Sequence, residues 1–142
     1  MKVLVMKNEI LITGPNLKQK ADKPEMLIIF FHGWGSNGDD LIQLAPLFAK
    51  HFPTAFFISP NGPEACPQNP YGGRQWFGLN FNNDGSIDRS EMPKKVSIAS
   101  EQAKIFIKHW QNELSISDDK TFLIGFSQGS MLTLEIGTNI LL

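Results

Sequence analysis

At 142 residues, 42% hydrophobic and 19% charged, the chain has the composition of one ordinary globular domain with room for a packed core. A net charge of −1 leaves no basic footprint for nucleic acid or for an anionic membrane surface. Cys66 is the only cysteine, which excludes an intrachain disulfide and favours a reducing compartment.

In chain order, Val3–Met6 and Glu9–Thr13 read as short strands closed by Gly14-Pro15. Lys7-Asn8-Glu9 interrupts the apolar start too early for a secretion signal, and no run approaches the roughly 18 apolar residues of a membrane span. A soluble, cytoplasmic protein is expected. Asn16–Lys23 reads as a polar loop. Met26–Phe31 is a continuous apolar run, as in a strand buried on both faces of a parallel sheet. A glycine-rich turn, His32–Gly38, leads to a helix from Asp39 to about Lys50, with Leu41, Leu44, Ala45 and Phe48 on one face. Thr54–Ser59 is another buried strand.

Asn61–Ser90 is rich in Pro, Gly, Asn and Asp and lacks periodicity, as a functional or mobile loop would. Pro93 opens a helix to about Leu114, striped by Val96, Ala99, Ala103, Phe106, Trp110 and Leu114. Lys18, Lys20, Lys94 and Lys95 read as solvated charges. Thr121–Ile124 is the last strand and Gly129–Ile140 the last helix. From residue 26 the order is β-α-β-loop-α-β-α, which argues an α/β class with a mostly parallel sheet flanked by helices.

The chemistry concentrates between that strand and that helix, in Gly125-Phe126-Ser127-Gln128-Gly129. Strand, G-x-S-x-G and helix are the context of a nucleophile elbow, where a serine stands on a sharp turn that bulky neighbours would obstruct. Acyl transfer also needs donors for the oxyanion of its tetrahedral intermediate. The backbone N–H of Gln128, at the positive end of the last helix, is one candidate. The second must come from His32-Gly33-Trp34-Gly35 behind the Met26–Phe31 strand, and Trp34 is the expected residue.

Phe31-His-Gly-Trp-Gly-Ser-Asn-Gly-Asp39, Ser59-Pro-Asn-Gly-Pro-Glu64, Gly73-Arg-Gln-Trp-Phe77 and Gly125–Gly129 follow one another as in the phospholipase/carboxylesterase family. The sequence resembles that family, which includes the acyl-protein thioesterases, from residue 26 onward. The resemblance implies an α/β-hydrolase fold and a small-molecule carboxylic ester or acyl-thioester substrate. It implies Ser127 as nucleophile, Trp34 and Gln128 as oxyanion donors, and Trp76-Phe77 beside an acyl pocket.

Two departures stand out. Ser130 occupies a place where family members often carry glycine. The enzymes with this elbow order their triad Ser, then Asp or Glu, then His, yet Ser130–Leu142 contains neither Asp nor His. The expectation is therefore one incomplete α/β-hydrolase domain over 1–142, matching the first two-thirds of the fold and ending after the elbow helix, with weak activity or none. Of the histidines, His51 and His109 read as solvated or packed, and His32 as a residue that shapes the oxyanion loop. Asp118 and Asp119 precede the last strand, at the end away from Ser127. No H-E-x-x-H and no cysteine pair marks a metal site, and no cofactor is expected. An interior strand at Thr121–Ile124 without its next neighbour would expose an edge able to self-associate.

Two rival readings remain. A relic or binding fragment would hold an acyl group or a partner without catalysis. A dinucleotide-binding domain would use Gly33-x-Gly35-x-x-Gly38 after a buried strand, though the strand over Thr54–Ser59 lacks the acidic residue such a site needs for the ribose.

Overall fold

Apolar side chains on both faces of a strand require cover on both sides, and β2 (Met26–Phe31) sets that requirement for the whole molecule. Leu27, Ile29 and Phe31 point into one core cluster, and Ile28 and Phe30 into another. The computed structural model describes residues 12–19 and 23–140. Its main sheet has the order β1 (Asn16–Lys18), β3 (Ala55–Ile58), β2, β8 (Thr121–Gly125). β3 and β8 run parallel to β2, while β1 runs antiparallel to β3.

On one face lie α3 (Met92–Leu114) and α4 (Gln128–Ile140), which bring Ala99, Ala103, Phe106, Leu132 and Ile136 against β2 and β3. On the other lie the short α1 (Gly38–Ile42) and α2 (Ala45–Ala49), with Ala45, Leu41 and Phe48 against Ile28, Phe30 and Phe57. Phe30 and Phe57 stack in that layer at 6.1 Å. The result is a three-layer α/β/α arrangement.

Several sequence expectations need correction. The loop expected over Asn16–Lys23 contains β1, whose three residues pair with Phe56–Ile58. The helix expected from Asp39 to Lys50 is two helices. A continuous one would need the N–H of residue 46 to bond back to Ile42, and Pro46 has none. α1 instead closes at Gln43, and α2 starts again with Pro46 in its first turn. The Asn61–Ser90 segment is not structureless. It holds two antiparallel pairs, β4 (Glu64–Ala65) with β5 (Arg74–Gln75) and β6 (Asn80–Phe81) with β7 (Ile87–Asp88). The strand expected over Val3–Met6 lies outside the described residues. Of Glu9–Thr13 only Ile12 and Thr13 are described, and neither is in a strand.

Candidate active site

The parallel register of β2 and β8 pairs Phe31 with Gly125. The residues that follow each strand, His32–Gly35 and Phe126–Ser127, therefore emerge at the same end of the sheet. A Cβ placed on Gly33 would stand 3.2 Å from the Ser127 Cβ and 3.1 Å from the Phe126 ring, so the two loops touch. The carboxyl ends of parallel strands are where open α/β sheets bind ligands.

Ser127 has φ +53°, a left-handed conformation that a non-glycine residue holds at a cost of about 1–3 kcal/mol. Its surroundings over-determine it. Phe126 N–H extends the ladder to the Phe31 carbonyl at 3.0 Å, and Gly129 N–H closes a turn onto the Phe126 carbonyl at 2.9 Å. The Ser127 carbonyl accepts from Ser130 N–H at 2.9 Å and from the Ser130 hydroxyl at 2.5 Å. The departure at position 130 thus adds a bond to the turn. The pentapeptide glycines answer to close approach. A Cβ on Gly129 would run into the Phe31 carbonyl oxygen, and one on Gly125 into the Gly129 carbonyl oxygen.

Among the described residues, the Ser127 hydroxyl and the backbone N–H groups of Trp34 and Gln128 have no hydrogen-bond partner. All three residues line one cavity of about 250 Å³. Its apolar wall is Leu79, Ile87, Met92 and Met131, and Arg89 is its one charged residue. Trp76 and Phe77, expected beside an acyl pocket, are absent from that wall. Both are buried in the main core, where Trp76 packs edge-on against Phe31 at 5.4 Å.

What Trp76 and Phe77 do instead reveals a side-chain role that sequence reasoning missed. Gln128 is 3% exposed. Its Oε1 accepts from Trp76 N–H at 2.8 Å, and its Nε2 donates to the Phe77 carbonyl at 2.9 Å. One amide thereby satisfies two backbone groups of the bend that follows β5 and ties the elbow helix to it. The signal is present in the sequence: a glutamine at the start of a helix packed against the core must pair its amide or bear the cost of burying it.

His32 is fully buried, and Gly62 N–H donates to its Nε2 at 2.8 Å. Nε2 is thus the lone-pair nitrogen, and Nδ1 carries the proton and donates to the Gly33 carbonyl at 2.7 Å. Burial lowers its pKa, the Gly33 bond opposes that, and Arg74 lowers it further. With both nitrogens engaged in shaping the loop, His32 has no free lone pair for a proton from Ser127. His51 follows α2, and His109 sits in α3 edge-on to Trp110; neither lines the cavity. Asp118 accepts from Gln111 at 2.8 Å before β8 begins, at the far end of that strand from Ser127.

The rest of the oxyanion-loop candidate is strapped to the long connection. Trp34 Nε1 donates to Gln75 Oε1 at 2.8 Å, Gly35 N–H to the Arg74 carbonyl at 2.9 Å, and Arg74 N–H to the Ser36 carbonyl at 2.7 Å. Gly38 N–H donates to Asn61 Oδ1 at 2.7 Å. The glycine N–H groups that a pyrophosphate would need are therefore already bonded at positions 35 and 38, which disfavours the dinucleotide reading. Among the described residues no group of three His, Cys, Asp or Glu side chains is placed to hold a metal.

A mostly parallel sheet covered on both faces, with a left-handed serine between a strand and a helix at its carboxyl end, defines an α/β-hydrolase fold. The family model for phospholipase/carboxylesterase matches residues 13–140, and the chain belongs to that family. It is 33% identical over 121 residues to the esterase YpfH of Escherichia coli K12, covering 82% of this chain and 48% of that one. Among solved structures, esterase PE8 superposes with a TM-score of 0.80 at 31% identity, covering 89% of this chain and 57% of its own. Acyl-protein thioesterase 2 of Zea mays, at 23% identity and a TM-score of 0.53, covers 89% of this chain and 51% of its own and shares the fold. The chain thus spans about half the length of these relatives, less than the two-thirds suggested by its motifs.

Proposed function

We propose that these residues form the nucleophile and oxyanion-binding part of a serine hydrolase acting on carboxylic esters or acyl thioesters. One observation carries the reading: Ser127 is held left-handed on the strand–helix turn, its hydroxyl unpaired, in a cavity shared with the unpaired N–H groups of Trp34 and Gln128. Ser127 Oγ attacks the acyl carbon, and the Trp34 and Gln128 N–H groups stabilise the oxyanion. The α4 N-terminus, where Gln128 sits, adds positive potential at that point.

Within these 142 residues no histidine can take the Ser127 proton. The chain on its own is therefore expected to be a slow enzyme. A triad lacking members retains about 10³–10⁴-fold over water through oxyanion stabilisation and binding. Labelling by a fluorophosphonate and hydrolysis of a short aryl ester, each measured on wild type and Ser127→Ala, test the reading. Slow labelling confined to Ser127 supports it; labelling that survives Ser127→Ala removes it.

The engagement of both His32 nitrogens favours one alternative, a fragment that holds an acyl group or a partner without turnover. Binding of an ester that never acylates Ser127, even with an added base, would select it. The reading also includes one domain over 1–142, a cytoplasmic setting, and self-association through β8, an edge strand in the described sheet. Apolar cavities of about 370 and 190 Å³ flank that edge on its two faces. Light scattering at micromolar concentration tests the association. Among the described residues no helix is long and apolar enough to cross a membrane.

A further inference from the structure

Arg89 is the one charged residue lining the cavity beside Ser127. Its guanidinium has no hydrogen-bond or ion-pair partner among the described residues. The single ion pair among the described residues is Lys104–Glu101, at 2.9 Å, and the only recorded bond of Arg89 is its carbonyl accepting from Met92 N–H at 3.1 Å. Of the acidic groups nearest in sequence, Asp88 Oδ1 accepts from Ser90 N–H at 2.9 Å, and Glu91, two residues on, forms no ion pair with Arg89. Lys94 and Lys95, the next cations along the chain, are not in the cavity wall, and Lys95 donates to the Gly78 carbonyl at 2.8 Å. A site built only to take an aliphatic acyl group gains nothing from a bare guanidinium, which presents a planar fork matched to a carboxylate.

The cavity's 250 Å³, formed by the described residues, has room for a short acyl group beside Ser127. Leu79, Ile87, Met92 and Met131 suit a few methylenes, and Ser127 marks where the ester carbon would lie.

We propose that Arg89 is a specificity-determining residue that selects short esters carrying a carboxylate a few bonds from the ester carbonyl, of the kind formed by half-esterified dicarboxylic acids. This deepens the reading of the cavity as the ester site beside Ser127 and rests on it. Because Arg89 is exposed to water, the expected preference is modest, about fivefold.

The test is equilibrium binding, which needs no turnover and so stays separate from the labelling of Ser127. Monomethyl succinate, its neutral analogue methyl levulinate, and acetate are titrated into ¹⁵N-labelled protein, following the Arg89 Nε–H and Trp34 resonances. Monomethyl succinate is expected to bind about fivefold more tightly than methyl levulinate at low salt, with the preference shrinking as salt rises. Arg89→Gln should abolish the preference, and Arg89→Lys should keep part of it. The Arg89 side chain bonds to none of the described residues, so neither variant should disturb the rest of the spectrum, which reports the fold directly. Equal affinities, a preference surviving in Arg89→Gln, acetate binding as tightly as the ester, or no saturable shift with either ester would each overturn the proposal. If the preference holds while Ser127 is never acylated, the cavity binds these esters and the hydrolase reading alone falls.

Discussion

The two sides of Ser127 differ sharply in how they are held. On the inner side, toward β2 and the long connection, polar groups are paired and buried. His32 uses both ring nitrogens, its carbonyl accepts from Trp76 Nε1 at 2.9 Å, and Gln128 clamps Trp76 and Phe77. On the outer side β8 is an edge strand, Phe122 is 46% exposed, and Phe126 is 67% exposed. Rigidity around the candidate nucleophile therefore comes from one direction. The groups left unpaired, the Ser127 hydroxyl and the Trp34 and Gln128 N–H, lie where the ordered side ends.

If that contrast is right, damage on the inner side should cost far more than damage on the outer. The largest effect should come from Gly129→Val, whose side chain would drive into the Phe31 and His32 carbonyls. Both are backbone and cannot swing away, so a loss of roughly 4 kcal/mol or failure to fold is expected. A urea midpoint close to wild type would show that the elbow is looser than described.

Gln128→Ala comes next. It leaves the buried Trp76 N–H and Phe77 carbonyl without partners, for about 2–4 kcal/mol in urea denaturation. Gln128→Glu should recover part of that, because a carboxylate can still accept from Trp76 N–H but cannot donate to Phe77. A loss below about 0.5 kcal/mol in Gln128→Ala would mean that water replaces the clamp and the inner side is not dry.

The pH dependence is a smaller effect with a definite sign. The folded His32 pKa is lowered, first by burial, below its ordinary value of 6.5. Between the two values the unfolded chain binds more protons than the folded one, so stability is full above pH 6.5 and falls as pH drops below it. Protonation at Nε2 would also break the bond from Gly62 N–H. The difference in urea midpoint between wild type and His32→Gln should therefore narrow from pH 7.5 to pH 5. A difference that widens on acidification would reverse the assignment.

The smallest effect is expected at the outer edge. Phe122→Lys should change stability by no more than about 0.5 kcal/mol, because the side chain is half exposed, and it should reduce light scattering if the β8 edge associates. A cost comparable to Gln128→Ala would erase the contrast between the two sides.

The same contrast explains what the sequence made legible. The elbow could be read because its requirements are local: a strand, a serine flanked by glycines, a helix. The buried strands could be read because unbroken apolar runs have few alternatives. The Asn61–Ser90 connection could not, because its order comes from bonds to residues far away in the chain, such as Gly62 to His32 and Arg74 to Ser36. β1 (Asn-Leu-Lys) is three residues, too short for its alternation to stand out, and its pairing with β3 is set by tertiary contact. Trp76 belongs to a family motif that does not say which way its ring faces. The motif marks proximity to Ser127, while the indole N–H bond to the His32 carbonyl turns the ring into the core. The break at Pro46 is legible in the sequence, since a proline four residues after Ile42 cannot donate the bond that a continuous helix needs.

The proposed role of Ser127 is that of a preorganised nucleophile lacking only a base within these residues. Acyl-adduct formation from p-nitrophenyl acetate, located by mass spectrometry with and without added imidazole, tests it most directly. A slow adduct on Ser127 that forms faster with imidazole and is absent in Ser127→Ala is the expected result. An adduct elsewhere, none at all with imidazole present, or rapid turnover without it would contradict the claim.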